Sequence, residues 1–143
     1  MPRLRTLILA TAVAATLATS VAAAEAPATI VRDGVTFGAV EPLAGVYFTN
    51  FENSVLTLCD LDKAECREGK APAPRYALLC EPAACADLEA RIQALNGSHD
   101  TWGRFVIRLT GRRSRAAGKG ALGAPGDQVL VERIESVVLL ERR

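Results

Sequence analysis

Aromatic residues are scarce in this 143-residue chain, at 5% of the total: one Trp, two Tyr and four Phe. Proteins that hold unpaired nucleic-acid strands stack the bases on aromatic rings, so a sequence-blind strand binder lacks its usual platform here. Histidine occurs once, as His99. It stands in the run Ser98, His99, Asp100, but a catalytic triad needs three groups converging from separate elements, and neighbouring side chains in a chain diverge. His99 is therefore expected at the surface. Charge of one sign is also missing overall, since the formal net charge is +1, and a near-neutral chain is not a general nucleic-acid binder. The sequence contains no Gly-x-Ser-x-Gly elbow, phosphate loop, dinucleotide fingerprint or Cys-x-x-Cys pair. Hydrolase, nucleotide and thiol-redox chemistries thus have no recognisable motif.

One long apolar run is present, and it lies at the start. Arg3 and Arg5 precede a stretch of small and apolar residues from Leu7 to Val21, followed by Ala22 to Ala24. This order of basic, apolar and small residues is that of a secretory signal peptide. Residues 1–24 are assigned to it and residues 25–143 to a single domain. The alternative is an uncleaved anchor, for which the alanine-rich run is short. After cleavage no membrane span is expected.

Four cysteines follow, Cys59, Cys66, Cys80 and Cys85. An even number in an exported chain implies disulfides. The favoured pairing is Cys59–Cys66 with Cys80–Cys85, each closing a short loop. The competing reading is a four-cysteine zinc site, whose short spacing only Cys80 and Cys85 match. Asp60, Asp62, Glu65 and Glu68 form an acidic turn without the calcium-loop pattern, and no metal or cofactor is expected.

Alternation of period two marks half-buried strands. From Trp102 to Gly111, Phe105, Ile107 and Leu109 point one way, and Arg104, Arg108 and Thr110 the other. Gln128 to Leu140 is a second, β-branched run. Earlier, Val35 to Val40 opens a first strand that Glu41 and Pro42 interrupt and Gly45 to Phe51 resumes. In that strand Tyr47, Thr49 and Phe51 oppose Val46 and Phe48. Ser54 to Cys59 and Arg75 to Cys80 are the next strands, with Leu56 and Leu58 opposing Val55, Thr57 and Cys59. One helix stands out: Pro82 suits a first turn, Cys85, Leu88, Ile92 and Leu95 share a face, and Asn96-Gly97 is a stop signal. The Cys85 sulfur is expected to face the core.

The order strand, strand, strand, helix, strand, strand is that of the five-stranded oligonucleotide/oligosaccharide-binding (OB) barrel. An open α+β sheet with one helix is the alternative. Gly45-Val46-Tyr47, Glu52-Asn53-Ser54, Cys59, and Leu109 to Arg112 with Gly118, Gly120 and Gly123 before Val131 to Ile134 resemble a group of small exported bacterial domains of uncharacterised function. The resemblance implies a compact β-barrel. The chain departs from it at Ala121 to Pro125, where an aromatic and histidine-containing loop is expected, and no catalytic residue carries over.

Charge is uneven along the chain: residues 33–100 hold 5 basic and 11 acidic side chains, residues 101–143 hold 9 and 4. From Arg104 to Lys119 there are six basic residues and no acid. A loop from Arg112 to Gly126, between the fourth and fifth barrel strands, would rim the usual ligand face of such a barrel. Arg112, Arg113, Arg115 and Lys119 are the candidate ligand or partner contacts, with Trp102 and Tyr47 as the nearby rings. The expected function is a non-enzymatic, exported binding module whose partner is a protein or envelope component. The alternative is a binder of anionic polymer, polysaccharide or nucleic acid, through residues 112–120. A small enzyme with an unrecognised site and a secreted inhibitor are the remaining classes.

Overall fold

The computed structural model describes residues 28–50, 53–70, 72–97, 99–115 and 126–141. The proposed signal peptide, Lys119 and most of the basic loop lie outside these residues.

Five strands close into a barrel in the order β3-β4-β5-β7-β6, and β6 returns to β3. They are β3 (Glu41–Thr49), β4 (Ser54–Leu58), β5 (Arg75–Cys80), β6 (Gly103–Arg113) and β7 (Gln128–Glu141). All neighbours are antiparallel except β5 and β7, which run parallel. Helix α2 (Pro82–Asn96) joins β5 to β6. A parallel pair cannot be joined by a tight hairpin. Helix α2 and β6 take up the chain between its two members. This is the mainly β, OB-like barrel that the element order implies, and it is closed rather than an open sheet.

The alternation seen in the sequence fills the interior. Tyr47, Leu56, Tyr76, Phe105, Ile107, Leu109, Val129 and Val131 are buried in one cluster, joined by Leu88 and Ile92 of α2. Gly45 is required where β3 meets β4, because a side-chain carbon there would collide with the Thr57 carbonyl. Gly97 ends α2 in the left-handed conformation at φ 68°, which glycine adopts without penalty.

Several expectations need correction. Val35–Phe37 does not begin the barrel; it is β2 of a separate hairpin with β1 (Ile30–Arg32). Glu41 and Pro42 do not interrupt the first barrel strand but start it. Pro42 pairs with Thr110 on β6, while β4 joins β3 only from Gly45 onward. A proline missing one N–H is tolerated where a strand has a single neighbour. The acidic turn contains a short helix, α1 (Ala64–Glu68). Cys85 is exposed, and Ala84 takes the core position in the first turn of α2.

Both expected disulfides form, Cys59–Cys66 and Cys80–Cys85. No cysteine is free, which leaves no thiolate for the zinc alternative. No helix among the described residues is long and apolar enough to cross a membrane.

Candidate binding surface

Six residues were expected to share one contact edge; Lys119 lies outside the described residues, and the other five do not form one edge. Arg112 lies in β6, not in a loop, and is 2% exposed. Its Nε donates to Glu132 at 2.6 Å and its Nη1 to the Gly38 carbonyl at 3.0 Å. It is a structural cation. Arg113 is the last residue of β6 and grips Glu41 in a fork, Nε to Oε1 at 2.7 Å and Nη2 to Oε2 at 2.9 Å. Those bonds raise the Arg113 pKa above its ordinary value. Arg115 is exposed and has no carboxylate partner among the described residues; its backbone N–H donates to Thr36.

The two rings do not join this edge. Tyr47 is a core residue, 6% exposed, whose hydroxyl is bonded to Ser54 Oγ. Trp102 is 44% exposed but precedes β6, whereas Arg113 ends it. A strand rises about 3.3 Å per residue, so Trp102 and Arg113 lie at opposite ends of the strand, up to about 36 Å apart. The tryptophan is fixed locally: its N–H donates to Asp100 Oδ1 and its carbonyl accepts from Asn96. His99 is exposed, as expected.

A different surface emerges from strand register. On the outside of the barrel, Arg104, Phe48, Val55 and Ala77 lie side by side across β6, β3, β4 and β5. The adjacent row is Val106, Val46, Thr57 and Arg75. Strands are spaced about 4.8 Å apart, so each row spans about 14 Å. The rows are outside because the residues between them, Tyr47, Leu56, Tyr76 and Phe105, fill the core.

Part of this outer face is covered. Val46 packs with Leu61 and Cys66, which the Cys59–Cys66 bridge holds against the sheet. The rest is a cleft of about 450 Å³, within the size range of small-ligand sites. Its floor is Val46, Phe48, Val55 and Thr57; Glu68, Gly69 and Ala73 wall one side, and Arg75, Arg104 and Glu141 complete it.

The charges in the cleft are unequally engaged. Arg104 pairs with Glu141 at 3.3 Å and donates to the Arg67 carbonyl at 3.0 Å, pinning the end of α1. Glu68 pairs with Lys70 at 2.8 Å. Arg75 is exposed and has no carboxylate partner among the described residues. Arg75 and Arg115 leave their strands at the same end of the barrel: Ala77 N–H donates to Asp127, and Ser114 N–H to Gln128. These two cations therefore lie at the end of the barrel where β6 ends and β7 begins.

Sequence reasoning missed Phe48, Val55 and Arg75 as site residues. The signal existed, since parity already placed Val46 and Phe48 opposite Tyr47, and Val55 and Thr57 opposite Leu56. Register between the strands was the missing quantity. No family model matches this chain, and comparison with curated proteins and with solved structures returned no match.

Proposed function

We propose that this chain is a non-enzymatic binding module of the periplasm or secreted space, and that it binds through the outer-face cleft on β3, β4 and β5. Its ligand is a protein or envelope component presenting apolar or ring surface beside an acidic group. The observation that carries this reading is the pair of cross-strand rows, which set an apolar floor against an uncommitted Arg75. In OB-like barrels this face, with the loops at its sides, is where ligands bind. Export is supported by the leader pattern of residues 1–24 and by two disulfides, which persist in oxidising compartments. A binding rather than catalytic role is supported by the engagement of Glu68 and Glu141, the two cleft carboxylates among the described residues, in ion pairs. The likeness to small exported bacterial domains belongs to the same reading.

Binding of anionic polymer is the second reading, and Arg75 together with Arg115 favours it over the original arginine set. A fork of hydrogen bonds from each guanidinium suits carboxylate, sulfate or phosphate. The test is calorimetric titration of an acidic oligosaccharide, its neutral counterpart and an acidic peptide into the intact domain. The acidic compounds should bind, and Arg75→Glu should abolish binding without unfolding the protein. Affinity that is unchanged in Arg75→Glu, or equal for the neutral sugar, would exclude the cleft. A steep fall with salt would select the polymer reading, because release of counterions drives such contacts.

A further inference from the structure

The barrel has a seam on the side away from the outer cleft. β4 pairs with β5 only over Val55 to Thr57 against Ala77 to Arg75. β5 continues to Cys80, so its last three residues run on with no β4 partner. Helix α2 crosses beside this gap, and the Cys80–Cys85 bridge holds the start of the helix to the end of the strand.

The gap is a cleft of about 360 Å³ reaching into the main core. Its apolar wall is Leu78, Leu88, Ile92 and the disulfide, and Leu88 and Ile92 are themselves core residues. Hydroxyl-bearing residues of β3, β4 and the approach to β6 also line it: Thr49, Thr101, and Tyr47 and Ser54, whose hydroxyls are bonded to each other. Among the described residues Glu89 is the one charged side chain lining it, and no lysine or arginine does. Glu89 accepts a hydrogen bond from Gln93 through Oε1 at 3.1 Å, which leaves Oε2 with no such bond among the described residues.

We propose that this seam cleft is a second binding site, for a small amphipathic amine. The apolar body of the ligand lies against Leu78, Leu88 and Ile92. Its ammonium group meets the Glu89 carboxylate and the adjacent hydroxyls. The reasons are the lining's combination of apolar and hydroxyl-bearing residues, and Glu89 as the single charge among its described residues. An acidic amphiphile would set its charge beside Glu89 with no cation among those residues to offset it. A strongly polar ligand would waste the apolar wall. The volume lies near the lower end for small-molecule pockets, which fits a short chain or a single ring rather than a polymer. The site is independent of the outer-face cleft.

The test is titration of the full domain with octylamine, octanol and octanoate, followed by calorimetry and by methyl resonances. Octylamine should bind saturably and more tightly than the other two, and should shift the methyls of Leu78, Leu88, Ile92 and Thr101. Glu89→Gln should weaken octylamine about two- to fivefold, the range for an exposed ion pair, and remove its advantage over octanol. Ser54→Phe, which places a ring at the cleft, should abolish binding. Should that variant misfold, the wild-type methyl map and the Glu89→Gln comparison still decide the matter. Absence of saturable octylamine binding, octanoate binding as tight as octylamine, or shifts centred on Val46 and Val55 would each overturn the proposal.

Discussion

The two faces of the same four strands do opposite things. Inside, Tyr47, Leu56, Phe105 and Ile107 pack with α2 in a core that opens only at the seam between β4 and β5 among the described residues. Outside, one residue along, Val46 packs on one side against Leu61 and Cys66, and with Phe48, Val55, Thr57 and Arg75 it lines a cleft. Register and pleat are shared, so the difference arises from what covers each face. The interior is closed by a fifteen-residue helix and by the barrel itself. The exterior is closed only as far as a five-residue helix and its disulfide reach. An open cleft results where the apolar outer face of the sheet is left partly uncovered.

The sharpest way to break this comparison is to truncate a phenylalanine on each face. Phe105→Ala, at 0% exposure, should destabilise the domain by about 3–5 kcal/mol through lost burial and cavity formation. Phe48→Ala, half-buried outside, should cost about 1–2 kcal/mol yet remove ligand binding. Denaturant melts of both variants with ligand titration check this. Equal losses of stability would mean the outer face is as much a core as the inner one.

The arginines give the next contrast. Arg112→Ala leaves Glu132 without its partner, and Glu132 is about one-third exposed. The loss should be about 2–4 kcal/mol, below the range for a fully buried pair. Arg113→Ala breaks a pair whose arginine is half-exposed, and should cost under about 1 kcal/mol. For this reason Arg112→Ala is a stability variant and does not report on binding, while Arg115→Ala can.

The disulfides divide the faces again. Cys59–Cys66 holds the outer cover and Cys80–Cys85 the inner helix. Removing either should cost about 2 kcal/mol for so short a loop. Only Cys59→Ser with Cys66→Ser should also alter the outer cleft, as seen in the amide resonances of Val46 and Val106. Changes of the same size there on loss of the Cys80–Cys85 bridge would contradict the division.

The smallest effect is electrostatic. Glu135 is held below the usual carboxylate range by hydrogen bonds from Arg133 and then Thr110. A carboxyl whose folded pKa is depressed stabilises the fold above its unfolded pKa, and the contribution is lost as pH falls through the folded value. Arg133→Ala should move the Glu135 titration, followed by carboxyl resonances, back toward higher pH. An unmoved titration would remove Arg133 as the cause.

The barrel was legible because alternation and order sufficed. Phe105, Ile107 and Leu109 declared one face, Pro82 and Gly97 bounded the helix, and five strands with one helix between the third and fourth admit few topologies. Short separations favoured the disulfide pairing that forms, one of three that four cysteines allow. The site was less legible because it depends on distances between strands. The basic run Arg104 to Arg115 reads as one patch along the chain. In space Arg104, Arg112 and Arg113 are taken by Glu141, Glu132 and Glu41, partners that lie 20 to 72 residues away on other strands and carry no local signal. Tyr47 shows the same limit, since an alternating aromatic can face either side until the partner strand is known.

The most direct test of the account is an amide-resonance map of the domain during titration with an acidic oligosaccharide or acidic peptide that binds it. The account predicts saturable shifts clustered on Val46, Phe48, Val55, Thr57 and Arg75. Shifts clustered instead on Trp102 and the α2 surface, with those five residues unmoved, would contradict it.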